Sequence, residues 1–119
     1  MTKKDQMQRL QQVAGLMFDS KLAALRASAR AVQQTKDHLT DLMAKPADAA
    51  DMPQIATAVA GLRYERWADV RRADLNLTLA RQTADWLDAR DAARLAFGKT
   101  QALEAVKARL LAAAPRPNA

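Results

Sequence analysis

Lys45-Pro46-Ala47-Asp48-Ala49-Ala50-Asp51-Met52-Pro53 is the one interior stretch of this chain that cannot continue a helix. Two prolines restrict the backbone and remove donors, and each disfavours helical geometry in the residue before it. On either side the sequence is rich in alanine, leucine, arginine, glutamine and lysine, all strong helix formers, while β-branched residues are sparse and never clustered. The reading is therefore a first helix over residues 3–44, a turn over 45–52 and a second helix over 53–113, followed by a frayed tail over 115–119 that holds Pro115 and Pro117. Thr2 with Asp5 resembles a capping box that opens the first helix, and Asp51 with Gln54 offers a second capping signal at the turn. A short connection between helices makes them antiparallel neighbours, so the expected fold is all-α, a two-helix coiled-coil hairpin with the longer helix second. That helix would be about 90 Å long.

The seven-residue rhythm supports this. In the first helix Phe18, Leu25, Val32 and Leu39 share one register, with Leu22, Ala29 and Met43 four residues after their partners, while Leu10, Val13 and Met17 lie on a shifted phase. In the second helix Ile55, Val59, Leu62, Val70 and Leu77 form a stripe that suits the hairpin seam. Folding symmetrically about the turn places Leu42 near Ile55, Leu39 near Val59, Phe18 near Leu79 and Leu10 near Trp86. A second apolar set, Leu75, Leu79, Trp86, Leu103 and Leu110, lies well round the helix from the first. One partner helix cannot cover both, and Arg90 to Leu111 are left without an intramolecular neighbour.

That surplus is the functional signal. Either the chain bends at Gly98 or self-associates to bury it, or it docks another protein. The candidate protein-binding residues are Leu75, Leu79, Trp86, Arg90, Arg94, Phe97, Lys99 and Leu103, because exposed aromatic and arginine anchors dominate protein interfaces. Tyr64 and Trp67, with Arg63, Arg66, Arg71 and Arg72 nearby, form a second possible patch.

Composition limits the other classes. Half of the 119 residues are hydrophobic but only 4% are aromatic, which fits thin helix-on-helix seams better than a globular core. With no cysteine there can be no disulfide, thiolate nucleophile or cysteine-held metal, and a reducing compartment, the cytoplasm, is the expected location. The amino terminus lacks the apolar core of a signal peptide, and no segment is apolar enough to insert into a membrane. The single histidine, His38, sits between Asp37 and Asp41 without a second nitrogen ligand. Asp85, Asp88 and Asp91 have Arg81, Arg90 and Arg94 at ion-pairing spacing. No phosphate loop or nucleophile arrangement is present, so neither catalysis nor a cofactor is expected. The net charge of +6 admits acidic partners, but its arginines are interleaved with aspartates, which disfavours nucleic acid; nonspecific binding through distributed arginine is kept as a rival.

In its layout over residues 3–113, and in the run Arg72-Ala73-Asp74-Leu75-Asn76-Leu77 through Trp86 to Arg94-Leu95-Ala96-Phe97-Gly98-Lys99, the chain resembles the FliJ/YscO-type coiled-coil stalk proteins of flagellar and type III export. The resemblance implies a soluble export component whose terminal end enters the central hole of a hexameric export ATPase. A homo-oligomeric structural coiled coil or assembly factor is the alternative, with Leu75, Leu79 and Trp86 as its interchain core.

Overall fold

Thr2 and Asp5 start the first helix as their spacing predicts. In the computed structural model, which describes residues 2–44 and 54–113, the Asp5 amide donates to Thr2 Oγ1 at 3.2 Å and the Thr2 amide to Asp5 Oδ2 at 3.4 Å. This satisfies donors that a helix start leaves open. Helix α1 runs Lys3–Met43 and helix α2 runs Gln54–Ala113, 41 and 60 residues long, with no strand among the described residues. The fold is the all-α helical hairpin with the longer helix second. The turn over 45–52, the Asp51 capping signal and the tail over 115–119 lie outside the described residues.

The chain divides into two compact units. Among the described residues, one is formed within 28–85, on the turn side of the hairpin; the other pairs those of 1–27 with those from Trp86 onward. In the first, Leu42, Ala68 and Leu75 form a buried cluster with Leu39 and Tyr64 packed against it. Thr35 is only 5% exposed. Its hydroxyl donates to Gln82 Oε1 at 2.5 Å and also lies 3.2 Å from the Ala31 carbonyl oxygen. A buried polar pair of this kind contributes little net stability, but it penalises any pairing that would strand either group. Tyr64 reaches across to the end of α1, its hydroxyl 3.4 Å from the carbonyl oxygens of both Leu42 and Ala44. The Leu42 carbonyl belongs to the last turn of α1 and the Ala44 carbonyl lies just past it, where the helix has no donors of its own to offer.

In the unit made by the chain ends, Phe18 meets Phe97 with ring centroids 5.6 Å apart and planes at 58°, a favourable tilted geometry. The least exposed positions of α1 continue as Met7, Gln11, Ala14 and Phe18, facing Trp86, Ala89, Ala93, Ala96, Thr100 and Leu103 of α2. Ala93 and Ala96 are buried.

This pairing corrects four expectations. The register of Phe18, Leu25, Val32 and Leu39 holds, but its companions are Ser28, Thr35 and Leu42, three residues after their partners. Ala29 is exposed, Met43 is 76% exposed, and only Leu22 of the expected companions is half-buried. Phe18 meets Phe97 and not Leu79, and Leu42 packs with Ala68 and Leu75 rather than near Ile55, which is 80% exposed. The two stripes of α2 therefore exchange roles. Leu75, Leu79, Trp86 and Leu103 belong to the buried or half-buried seam, with Leu110 of that set exposed, while Ile55, Val59, Leu62, Val70 and Leu77 are exposed. The segment Arg90 to Leu111 is not an unpaired overhang, because Lys107, Leu110 and Leu111 line one hollow with Thr2, Lys4 and Met7.

Helix α2 continues through Gly61 and Gly98, and no described glycine has a positive φ. A methyl group built on either would meet nothing within 4 Å. Gly61→Ala and Gly98→Ala should each raise stability by up to about 1 kcal/mol, since alanine loses less backbone freedom on entering a helix. Chemical denaturation followed by circular dichroism measures this, with an unchanged slope and a higher midpoint expected.

Candidate protein-binding surface

The seam is too thin to hide what the sequence carries. Among the described residues the buried hydrophobic ones are Leu42, Leu75 and three alanines, Ala68, Ala93 and Ala96, and no side chain is fully buried. Leu10, Val13, Leu16, Met17, Leu95 and Phe97 are all at least half exposed, and all belong to the unit formed by the chain ends. Four of these, Leu10, Val13, Met17 and Leu95, come together on one face of the helix pair, and apolar surface gathered in this way marks a site for another helix or protein.

Part of this surface is an organised groove of about 550 Å³. Leu10, Val13 and Met17 supply side chains on the α1 side and Leu95 on the α2 side. Their spacing on α1, three and four residues apart, puts them on one helix face beside the seam. The small residues Ala14, Ala92, Ala96 and Ala102 also line the groove, with Leu103. Two lysines, Lys21 and Lys99, complete the lining, and no carboxylate contributes to it.

The expected binding residues separate on this geometry. Leu75, 5% exposed, is held inside the turn-side unit with Leu42 and Ala68, so it cannot meet a partner while the hairpin is closed. Leu79 is half-buried in that same unit. In the other unit, Trp86 is half-buried and carries the Arg90 guanidinium 5.5 Å from its ring centroid. Arg90 Nη2 lies 3.5 Å from Asp91 Oδ1, while its Nε is buried without a hydrogen-bond partner. Arg90 thus covers Trp86 rather than standing free as an anchor. Arg94, Phe97 and Lys99 are exposed, and Leu103 is half-buried. Only Lys99 and Leu103 of the eight line the groove.

No protein-family model, curated protein or solved structure matches this chain. Its function has to be read from its own residues. Leu10, Val13 and Met17 were legible as off-phase residues of α1, and that displacement puts them on a second apolar face. Lys21 gave no signal, since a lone lysine on a long helix is ordinary surface. The patch around Tyr64 and Trp67 resolves differently. Tyr64 turns into the hairpin, Trp67 remains more than half exposed with ring centroids 5.8 Å apart between the two, and Arg72 pairs with Asp69 at 3.0 Å. Among the described residues no group of three or more histidines and carboxylates is arranged to hold a metal, and no helix is long and apolar enough to cross a membrane.

Proposed function

We propose that this protein is a non-catalytic, protein-binding helical hairpin acting as a soluble stalk or adaptor in a flagellar or type III export apparatus. The observation that carries the binding role is the concentration of exposed Leu10, Val13, Met17, Leu95 and Phe97 in the unit built from both chain ends. The export role draws on the layout shared with FliJ/YscO-type stalks, in which the terminal end is the inserting part. Arg94 and Lys99, exposed beside that apolar surface, supply the positive charge that speeds encounter with an acidic partner.

A second reading, a self-assembling structural coiled coil, is favoured by a different observation. Ile55, Val59, Leu62, Val70 and Leu77 remain exposed on the turn-side unit and would suit an interchain seam.

Light scattering over a range of concentrations, combined with co-purification of the hexameric export ATPase from the same source, separates the two. A monomer that binds the ATPase, and binds at least tenfold more weakly after Leu95→Asp, is the expected result. A concentration-independent dimer that leaves the ATPase unbound would retire the stalk in favour of self-assembly.

A further inference from the structure

We infer that the groove between Leu10, Val13, Met17 and Leu95 receives one amphipathic α-helix of another protein, about three turns long, whose apolar stripe is bordered by glutamate or aspartate. This rests on the protein-binding reading above and specifies the chemistry of the partner.

The shape of the occupant follows from what the groove lacks. Both flanking elements are helices whose backbone groups are already paired, so there is no edge to which an extended peptide could add as a strand. An extended segment laid against Leu10, Val13 and Leu95 would bury its own amides without partners, at a cost of roughly 1–3 kcal/mol for each. A helix satisfies its amides internally and needs only an apolar stripe. The alanines Ala14, Ala92, Ala96 and Ala102 allow its backbone to come close, and the larger side chains grip it from both sides. From Leu10 to Lys21 the groove follows α1 for about 16 Å, the length of three helical turns.

The charge of the occupant follows from the lining. Lys21 and Lys99 border an otherwise apolar groove to which no acidic residue contributes. An incoming helix with carboxylates beside its apolar stripe would pair both ammonium groups, whereas one with lysine or arginine there would meet two like charges. The same reasoning disfavours a second copy of this chain. Grooves apposed across a two-fold axis would bring four lysines together with no lining carboxylate to answer them.

The test is selection against the intact 119-residue chain from a displayed library of amphipathic helical peptides with randomised stripe and flanking positions. Enriched sequences are expected to hold large apolar residues at i, i+4 and i+7 with acidic flanks. A synthetic peptide of the best sequence should lose at least tenfold in affinity on Leu95→Asp. Leu95 is 63% exposed, so this variant should keep its helicity. The double variant Lys21→Glu, Lys99→Glu should weaken the same peptide about tenfold and favour a version with lysine flanks. Enrichment without acidic flanks, or binding that ignores Leu95→Asp, overturns the groove assignment while leaving the protein-binding reading standing. A dimer that Leu95→Asp dissociates also overturns it, by making the occupant a second copy. If no peptide is enriched and the export ATPase also fails to bind, both readings fall together.

Discussion

Leu75→Ala should lower the unfolding free energy by about 2–4 kcal/mol, the range for removing a buried leucine side chain and leaving a partial cavity. Leu77→Ala, two residues further along the same helix, should change it by less than about 0.5 kcal/mol. The contrast rests on burial alone. Leu75 is packed with Leu42 and Ala68, whereas Leu77 lies among the exposed residues of α2. Where the other buried hydrophobic residues, among those described, are Leu42 and three alanines, the loss is a large share of a margin that is only about 5–15 kcal/mol in ordinary domains. Denaturant titration of both variants measures it. Equal and small effects would mean that the turn-side unit does not pack as described; a larger loss at Leu77 would restore the stripe from Ile55 to Leu77 as the seam.

That contrast also locates what the sequence could and could not reveal. The helices were legible because nothing between Lys3 and Met43, or between Gln54 and Ala113, opposes helix strongly enough to end it. One register of α1 was legible because Phe18, Leu25, Val32 and Leu39 are large and regularly spaced. The facing surface of α2 was not, because hydrophobicity pointed to the wrong stripe. Ile55, Val59, Leu62, Val70 and Leu77 are uniformly apolar, while the true seam mixes Leu75 with Ala68, Gln82, Ala93, Ala96 and Thr100. Small and polar residues earn little on any hydropathy scale, yet alanines permit close approach and Gln82 has a waiting donor in Thr35. Symmetric folding about Pro46 and Pro53 then placed the helices out of register. Three contacts oppose that symmetric pairing: Thr35 with Gln82, Phe18 with Phe97, and Tyr64 with the last carbonyls of α1.

The groove was missed for the same reason. Looking for surplus surface on α2 alone led to Trp86 and Arg90, which turn out to cover each other. The exposed apolar face needs both helices, and Leu10, Val13 and Met17 acquire meaning only when Leu95 is brought beside them. An apolar groove shared by two antiparallel segments can be read from sequence only after the register is known, so symmetric pairing gave no sign of it.

Cross-linking should report that register almost as a yes or no. The chain has no cysteine, so introduced pairs are the only thiols present. Thr35→Cys with Gln82→Cys should join within one chain in high yield on treatment with a short bifunctional maleimide, because the native side chains touch. Thr35→Cys with Leu62→Cys, close to the level that symmetric folding about the turn would match, should give almost none. For the unit formed by the chain ends, Phe18→Cys with Phe97→Cys should join, since the two phenylalanine rings are in contact. Intramolecular products are distinguished from intermolecular ones by mass, and working at low concentration suppresses the latter. Efficient joining of Thr35 to Leu62 would restore the symmetric hairpin and return Arg90 to Leu111 to the status of an overhang. Joining of Thr35 both to Gln82 and to Leu62 would mean that the two helices slide past one another in the turn-side unit. The Thr35 and Gln82 pair opposes such sliding, because moving either by one heptad leaves a hydroxyl or an amide buried against apolar side chains.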